Sequence, residues 1–592
     1  MVARLGLSTV NCRLLTAALS LSLLVPSAQS SLGTIYFPNS GAAAAQPAFI
    51  RGVLLLHSFE YDDAIEAFRQ AQRADPGFAL AYWGEALAYT QPLWDNENVD
   101  KARAALARLA PSKDARQAKA PTAREKGYLD AVERLFGDGS VRGRDPGLSK
   151  AERARLYADR MAELSRQYPN DDEAAAFYAL ALLATIPSGQ RNTGISLKAG
   201  AIVTAILKKN PEHPGAAHYA LHAFDDGEHA AMGLQAARTY ARIAPASSHA
   251  RHMPSHVFLP LGMWDEAAAS DESSFAASMD RVKRLGLKIA QADFHSLSWL
   301  HYEYLQQGRF AKARDTMRIV DGALSEGSRG SRGSPGAQGA VGSRGSRGSV
   351  GSPRSNSANP QNRENPQNPE NPANHANHVE SEIGRGYGPL SLKSELASMR
   401  ARMVMESGAW SDLKGQGSFD NIDELFALGA AGVRLGDLAR AEAAVEHLGT
   451  AAKTVPDTDA REIAAIMGAE LDGLLRSARR DRAGGLASLQ RAAALEAKRP
   501  RPIARPYPIK PAGELYAEAL LDAGDAPAAI AEFRKALART PRRAVPLLGL
   551  ARAYEKAGRR ADAAKTAKEF LSIWHLADGN RPELAEARAL AR

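Results

Sequence analysis

Apolar positions along the chain recur at three- and four-residue spacing in blocks of ten to twenty residues, broken by Gly, Pro, Asn and Asp. That pattern predicts helices joined by short turns rather than strands. The blocks come in pairs. A first pair runs from residue 48 to Pro76, and a helix over 78–89 follows it. From 91 to 147 the pairing loosens, with helices expected over 99–109 and 123–136 and loops around Pro111 and Asp138. Helices resume over 150–167, 171–184 and 195–209, and then as pairs over 213–243, 249–278 and 294–319. Alanine, leucine, arginine and glutamate dominate and aromatic residues make up only 6% of the chain, a balance that favours helix.

Some landmarks repeat at a fixed interval. Pro211 and Pro245 are 34 residues apart, as are His218 and His252, and His222 and His256. A period of this length is the mark of stacked helix pairs. Within one helix His218, His222 and Asp225 follow a four-then-three spacing, so they share a face roughly 100° round from the apolar stripe of Ala217, Leu221 and Phe224. Stacking sets that face beside its equivalent on the next pair.

The middle of the chain is different. Glycine holds every third position over 327–351, and asparagine does so over 359–377. Gly-X-Y spacing raises a collagen-like triple helix, but the run is short and holds few prolines, which favours a flexible linker over 322–383 with no packed core. Helix pairs return after residue 384, and a proline-rich basic loop over 498–511 contains Arg501, Arg505, Tyr507 and Lys510. The polar tail over 578–592 is expected to cap the stack.

The N-terminus carries Arg4 and Arg13, an apolar run from Leu14 to Val25, and then Pro26 with the small residues Ser27, Ala28 and Ser30. This is the order of a secretory signal peptide, with an apolar run too short to span a bilayer. Residues 1–30 are therefore expected to be removed, leaving an exported chain, periplasmic or extracellular, with no membrane span. The single cysteine, Cys12, leaves with that segment, so the mature chain offers no disulfide and no thiolate ligand. The formal net charge of +9 comes from Arg and Lys spread along the chain, as on solvated helix faces, and no nucleic-acid partner is expected.

Gly52, Ala64, Phe68, Ala71 and Pro76 fall where the tetratricopeptide repeat pattern puts its packing residues and closing proline. Tyr304, Gly308 and Ala313 do so again, and the match is clearest at the end: Gly524 and Gly558 are 34 apart, with Tyr516, Ala517, Leu520, Ala529, Phe533, Ala536 and Pro541 in register. The chain thus resembles tetratricopeptide repeat proteins over most of 48–321 and 384–577. The resemblance implies an all-α fold, a helix-pair superhelix (α-solenoid) in two halves, 31–321 and 384–592, joined by a disordered linker. It also implies a concave groove that holds a protein or peptide partner. By register, His218, His222 and Asp225 face that groove from one helix, His249, His252 and His256 from the next, and His295, Ser298 and Tyr302 from the one after. Pro254 is expected to delay the start of the second of these helices. The 46 residues from Gly262 to Gly308 imply a 12-residue insertion before the third.

Nine of the fourteen histidines lie between His213 and His301. Imidazoles at i and i+4 can share an ion, and neighbouring helices lie close enough to complete the shell. On this reading His218, His222, His252 and His256 converge, with Asp225, His249 and His295 around them. Zinc and copper suit imidazole best, Met253 could add a thioether, and iron could use His with carboxylate. Such binding would weaken as pH falls toward about 5, where an exposed imidazole protonates. The alternative is that the imidazoles bind a peptide, line a wet groove or satisfy buried polar groups. His57 is expected to be structural, and Trp83, Trp94, Trp264 and Trp299 to pack in the core. No Walker loop, Rossmann fingerprint or GxSxG elbow is present, and no catalytic residue is assigned.

Overall fold

The computed structural model describes residues 32–592 except 95, 137–147, 188–189, 331–388 and 416–420. The expected signal segment and nearly all of the expected linker lie outside these residues. The helix Phe310–Gly330 runs nine residues past residue 321, and structure resumes with the helix Pro389–Ser407.

Among the described residues the fold is a stack of antiparallel helix pairs. Strand structure there is a two-residue ladder, Thr90–Gln91 against Asn96–Glu97. The first pair, Gln46–His57 and Tyr61–Ala74, shows why the sequence pattern works. A Cβ on Gly52 would stand 2.8 Å from the Phe68 ring and one on Gly84, in the helix Ala79–Ala88, only 2.3 Å from it. The aromatic ring is therefore clasped between helices that hydrogen atoms alone allow to approach. In the last repeats Phe533 meets Gly549 the same way, at 2.4 Å.

The turn between paired helices takes a left-handed residue, usually glycine, as at Gly524 (φ 90°) and Gly558 (φ 73°). In the first pair Phe59 occupies this place with φ 59°, and the Glu60 N–H still reaches back to the Leu55 carbonyl at 3.0 Å to close the helix end. A β-carbon makes that conformation unfavourable by roughly 1 kcal/mol, so Phe59 is held there by its surroundings.

The two halves share a core. The helix Pro389–Ser407 packs on Phe294–Gln306 and Phe310–Gly330, and one core joins Trp264, Trp299 and Tyr302 to Met399, Leu547 and Trp574. The C-terminal repeats also return to the N-terminal ones. Trp264 Nε1–H donates to the Arg542 carbonyl at 2.8 Å, Arg542 Nη1–H to the Gly262 carbonyl at 2.9 Å, and Trp574 Nε1–H to the Gln306 carbonyl at 2.9 Å.

Candidate metal centre

Three neighbouring segments carry the histidines. The helix Pro214–Ala223 starts with proline, whose missing N–H costs nothing in a first turn, and His213 caps it by accepting the Ala216 N–H at Nδ1, 3.2 Å away. It presents His218 and His222 one turn apart. The next segment is broken by Pro254 into Ser248–His252 and Ser255–Phe258. Met253 and Pro254 keep helical dihedrals, so His252 and His256 still share a face, while Met253 packs in the apolar core. The third helix, Phe294–Gln306, is capped by Asp293 and carries His295 in its first turn. The expected insertion lengthens Trp264–Leu285 to 22 residues.

The histidines do not form one tetrad. They sort into two triads, His218 with His222 and His249, and His252 with His256 and His295, the candidate ligand atoms of each lying within 4.8 Å of one another. In the first, His218 Nε2 is 2.8 Å from His249 Nε2 and 3.0 Å from His222 Nε2. His218 Nδ1 is 2.7 Å from the backbone carbonyl of His57, which can only accept, so Nδ1 carries the proton and Nε2 presents a lone pair.

The second triad repeats this logic with carboxylates. His252 Nδ1–H donates to Asp271 Oδ1 at 2.6 Å, a closer partner than Ser255 Oγ at 3.3 Å. His256 Nδ1–H donates to Asp225 Oδ2 at 2.8 Å. Burial pushes the carboxyls of Asp271 and Glu303 up. The Nε2 atoms of His252 and His256 face each other 3.0 Å apart. Both ring nitrogens of His295 are buried with no hydrogen-bond partner.

Aromatic rings wall the two sites. Phe59 meets His218 edge-on at 4.3 Å and stacks on His222 and His249, each at 5.7 Å. Trp299 stacks on His256 at 4.4 Å and meets His252 edge-on. Burial pushes His218 and His252 down to about 3, and His222, His249 and His295 well below the ordinary imidazole value. In the folded protein, protons therefore compete for these lone pairs far below the pH of about 5 expected of exposed imidazoles.

A third cluster, His57 with Glu173 and His213, has different wiring. Glu173 accepts His57 Nε2–H at 2.7 Å and pairs with His213, whose Nε2 stands 3.2 Å from its other oxygen, while His57 Nδ1 accepts the Tyr219 hydroxyl at 2.8 Å. Each ring nitrogen has a proton or takes one. This network is structural, as expected for His57, and it positions the carbonyl that orients His218.

Of the residues expected at the site, the six histidines come together. Asp225 stands behind His256 rather than at the convergence. Ser298 and Tyr302, expected to line an open groove, are fully buried. Ser298 Oγ–H donates to the His295 carbonyl at 3.0 Å, and Tyr302 lies under the returning C-terminal repeats, its hydroxyl accepting from Arg543 at 2.6 Å. Sequence reasoning missed Asp271, Glu303 and Phe59. Asp271 stands nine residues after Gly262, where the last repeats place Phe533 nine residues after Gly524, and no histidine spacing marks it.

Stacked helix pairs that close through a shared core define an all-α repeat solenoid. The tetratricopeptide repeat family model matches residues 520–590. No curated protein matches the sequence. Solved structures similar to the chain include yeast Tom70 (11% identity, TM-score 0.30, covering 92% of this chain and 95% of that one). Human IFIT1 with m7Gppp-AAAA (11%, 0.29, 91% of each) and the Cut9–Hcn1 hetero-tetramer of the APC/C (12%, 0.28, 94% and 78%) are also similar. The family match lies on the last repeats, and the first helix pair has the same clasped ring and left-handed turn. No helix among the described residues is long and apolar enough to cross a membrane.

Proposed function

We propose that this chain is an exported tetratricopeptide repeat protein whose stack encloses a histidine-ligated metal centre. One observation carries the metal reading: in each of two triads three imidazoles bring one ring nitrogen apiece to within 4.8 Å of one another, the Nε2 atoms of His252 and His256 standing 3.0 Å apart. A tetrahedral ion with bonds of about 2.0–2.1 Å needs nitrogens roughly 3.3 Å apart, so a shift of a few tenths of an ångström admits it. His218, His252 and His256 are each backed by a carbonyl or carboxylate on Nδ1, which is how protein metal sites fix their imidazoles.

The donor set is imidazole alone, which suits zinc or copper and lacks the carboxylate of a His and carboxylate iron site. Wild-type protein loaded with zinc or copper is expected to retain the metal through gel filtration. The His252→Ala, His256→Ala double variant should lose the second site. Asp271→Asn should weaken binding about 10–100-fold, as removal of an orienting partner does. Metal analysis and competition with a chelator give these values. Folded wild-type protein that retains neither metal would overturn the reading and leave a plain repeat scaffold for a protein or peptide partner.

Export rests on the charged start, short apolar run and small residues before Ser31. N-terminal sequencing of protein from the periplasmic or extracellular fraction should find a chain starting near Ser31. A chain beginning at Met1 and confined to the cytoplasm would refute this part.

A further inference from the structure

We infer that the segment 499–511 is an internal ligand: it occupies the face formed by the first helices of successive pairs, and a partner presenting an extended, basic, proline-rich segment docks there by displacing it. The segment joins the helices Arg482–Ala497 and Ala512–Asp522 and is neither helix nor strand. It carries Arg499, Arg501, Arg505 and Lys510, no acidic residue, and prolines at 500, 502, 506, 508 and 511. A chain of that composition has few backbone N–H groups and stays extended, the form in which proline-rich ligands are recognised.

Its contacts are those of a bound peptide rather than of a turn. Arg505 Nη1–H donates to Glu395 Oε1 at 2.8 Å, on Pro389–Ser407, and to the Ser298 carbonyl at 3.3 Å, on Phe294–Gln306. Lys510 donates to Glu514 and, at 2.6 Å, to Glu518, both on Ala512–Asp522. Between these two cations Ile509 is fully buried in one core with Phe426 of Ile422–Leu435 and Met467 of Thr458–Ala478. The segment's carbonyls are taken by host side chains: Arg402 reaches Pro506 at 2.9 Å, Arg539 reaches Arg499 at 3.2 Å and Pro500 at 3.1 Å, and Arg191 reaches Arg501 at 3.1 Å. Acidic side chains thus read the cations and arginines read the backbone, with one apolar anchor, and none of this requires the occupant to be covalently joined to its host. The fit is also incomplete. Both carboxyl oxygens of Glu470, on Thr458–Ala478 and within the field of Lys510, are buried with no hydrogen-bond partner among the described residues. A buried acceptor left unserved is costly, so this face can take a fuller set of donors than its own chain supplies.

The test uses the full-length chain and a fluorescent peptide copying residues 499–511. The internal copy competes with the peptide, so wild type should bind it weakly. Arg505→Gln combined with Lys510→Gln loosens the internal copy. The double variant, its folding checked by circular dichroism and gel filtration, should bind the peptide about 10–100-fold more tightly, the factor regained when a rarely open site becomes open throughout. Adding Glu395→Gln and Glu518→Gln should reverse that gain. Lys510→Gln alone is the gentler variant and should show the same gain in smaller measure. Equal affinity of wild type and the loosened variants would overturn the proposal, because nothing within the chain then competes. So would folded variants that do not bind the peptide, or a gain that survives the loss of Glu395 and Glu518, since the segment is then a plain connection and the acidic face no docking surface.

Discussion

Replacing Glu173 with leucine is expected to cost about 3–5 kcal/mol of folding free energy at neutral pH, the range for removing one partner of a buried charged network. Glu173 is 1% exposed and is the shared acceptor for His57 and His213. Leucine would leave two imidazole N–H groups buried without an acceptor. Burial alone would raise the Glu173 carboxyl, but the two imidazoles, by charge and hydrogen bond, bring it down to about 2. The pH dependence follows from that direction. The unfolded chain binds the proton at about 4.5 while the folded chain refuses it until about 2, so this stabilisation is full above 4.5 and drains away as pH falls toward 2. The gap between wild type and Glu173→Leu should therefore be constant from about 7 to about 5 and narrow below that. Urea denaturation at a series of pH values measures it. A gap that widens in acid, or one under about 1 kcal/mol at neutral pH, would show that Glu173 does not hold the two histidines.

The effect should extend to the metal site. His57 offers its backbone carbonyl to His218 and its ring to Glu173, so the structural cluster sets the orientation of the first triad's central ligand. This explains why three clusters of similar composition differ in kind. In the first two, outward partners hold Nδ1 of His218, His252 and His256, and ring nitrogens face one another at the centre. In the third, the carboxylate itself sits at the centre.

The 34-residue period and the four-residue histidine spacing made the architecture legible, and with it five of the six proposed ligands as two stacked pairs and a neighbour. The sixth, His295, was legible only as the next helix in register. What the period cannot express is the part of the site that breaks it. Asp271 takes the place in Trp264–Leu285 that the packing ring Phe533 holds in its own repeat, so the register expects an apolar residue there. Phe59 takes a left-handed turn position that sequence alone assigns to glycine. Pro254 reads as a late helix start, yet the chain keeps helical dihedrals through it, so His252 and His256 remain paired. That six imidazoles sort into two triads rather than four into one tetrad goes with ring orientations held by His57, Asp225 and Asp271. Those contacts are invisible in a spacing rule. The burial of Ser298 and Tyr302 has the longest reach of all, since what covers Tyr302 lies 241 residues further along the chain.

That covering residue sets the other large effect. Replacing Arg543 with methionine is expected to destabilise the protein by about 3–5 kcal/mol. Arg543 caps the start of the helix Ala544–Lys556 and its side chain is fully buried. Its Nε–H donates to Glu514 at 3.0 Å, one Nη2–H to Glu406 at 2.8 Å, and Nη1–H to the Tyr302 hydroxyl at 2.6 Å. Four separate segments thus meet on one guanidinium, and burial would raise Glu514 were it not for Arg543 and Lys510, which hold its carboxyl below the usual range. Methionine fills much of the volume but leaves Glu406 buried without its cation and Glu514 with Lys510 alone. Arg543→Lys keeps the charge but not the planar fork, so it should recover part of the loss and no more. Arg543→Met combined with Glu514→Gln should also recover stability, because one of the buried carboxylates left to share Lys510 is then neutral. Tyr302 and His295 share the helix Phe294–Gln306, so the same variant should weaken metal at the second triad more than at the first. Denaturant midpoints and metal titrations on the three variants distinguish these effects. A loss below about 1 kcal/mol, or equal stability of Arg543→Met and its Glu514→Gln double variant, would mean that apolar packing rather than this guanidinium closes the stack.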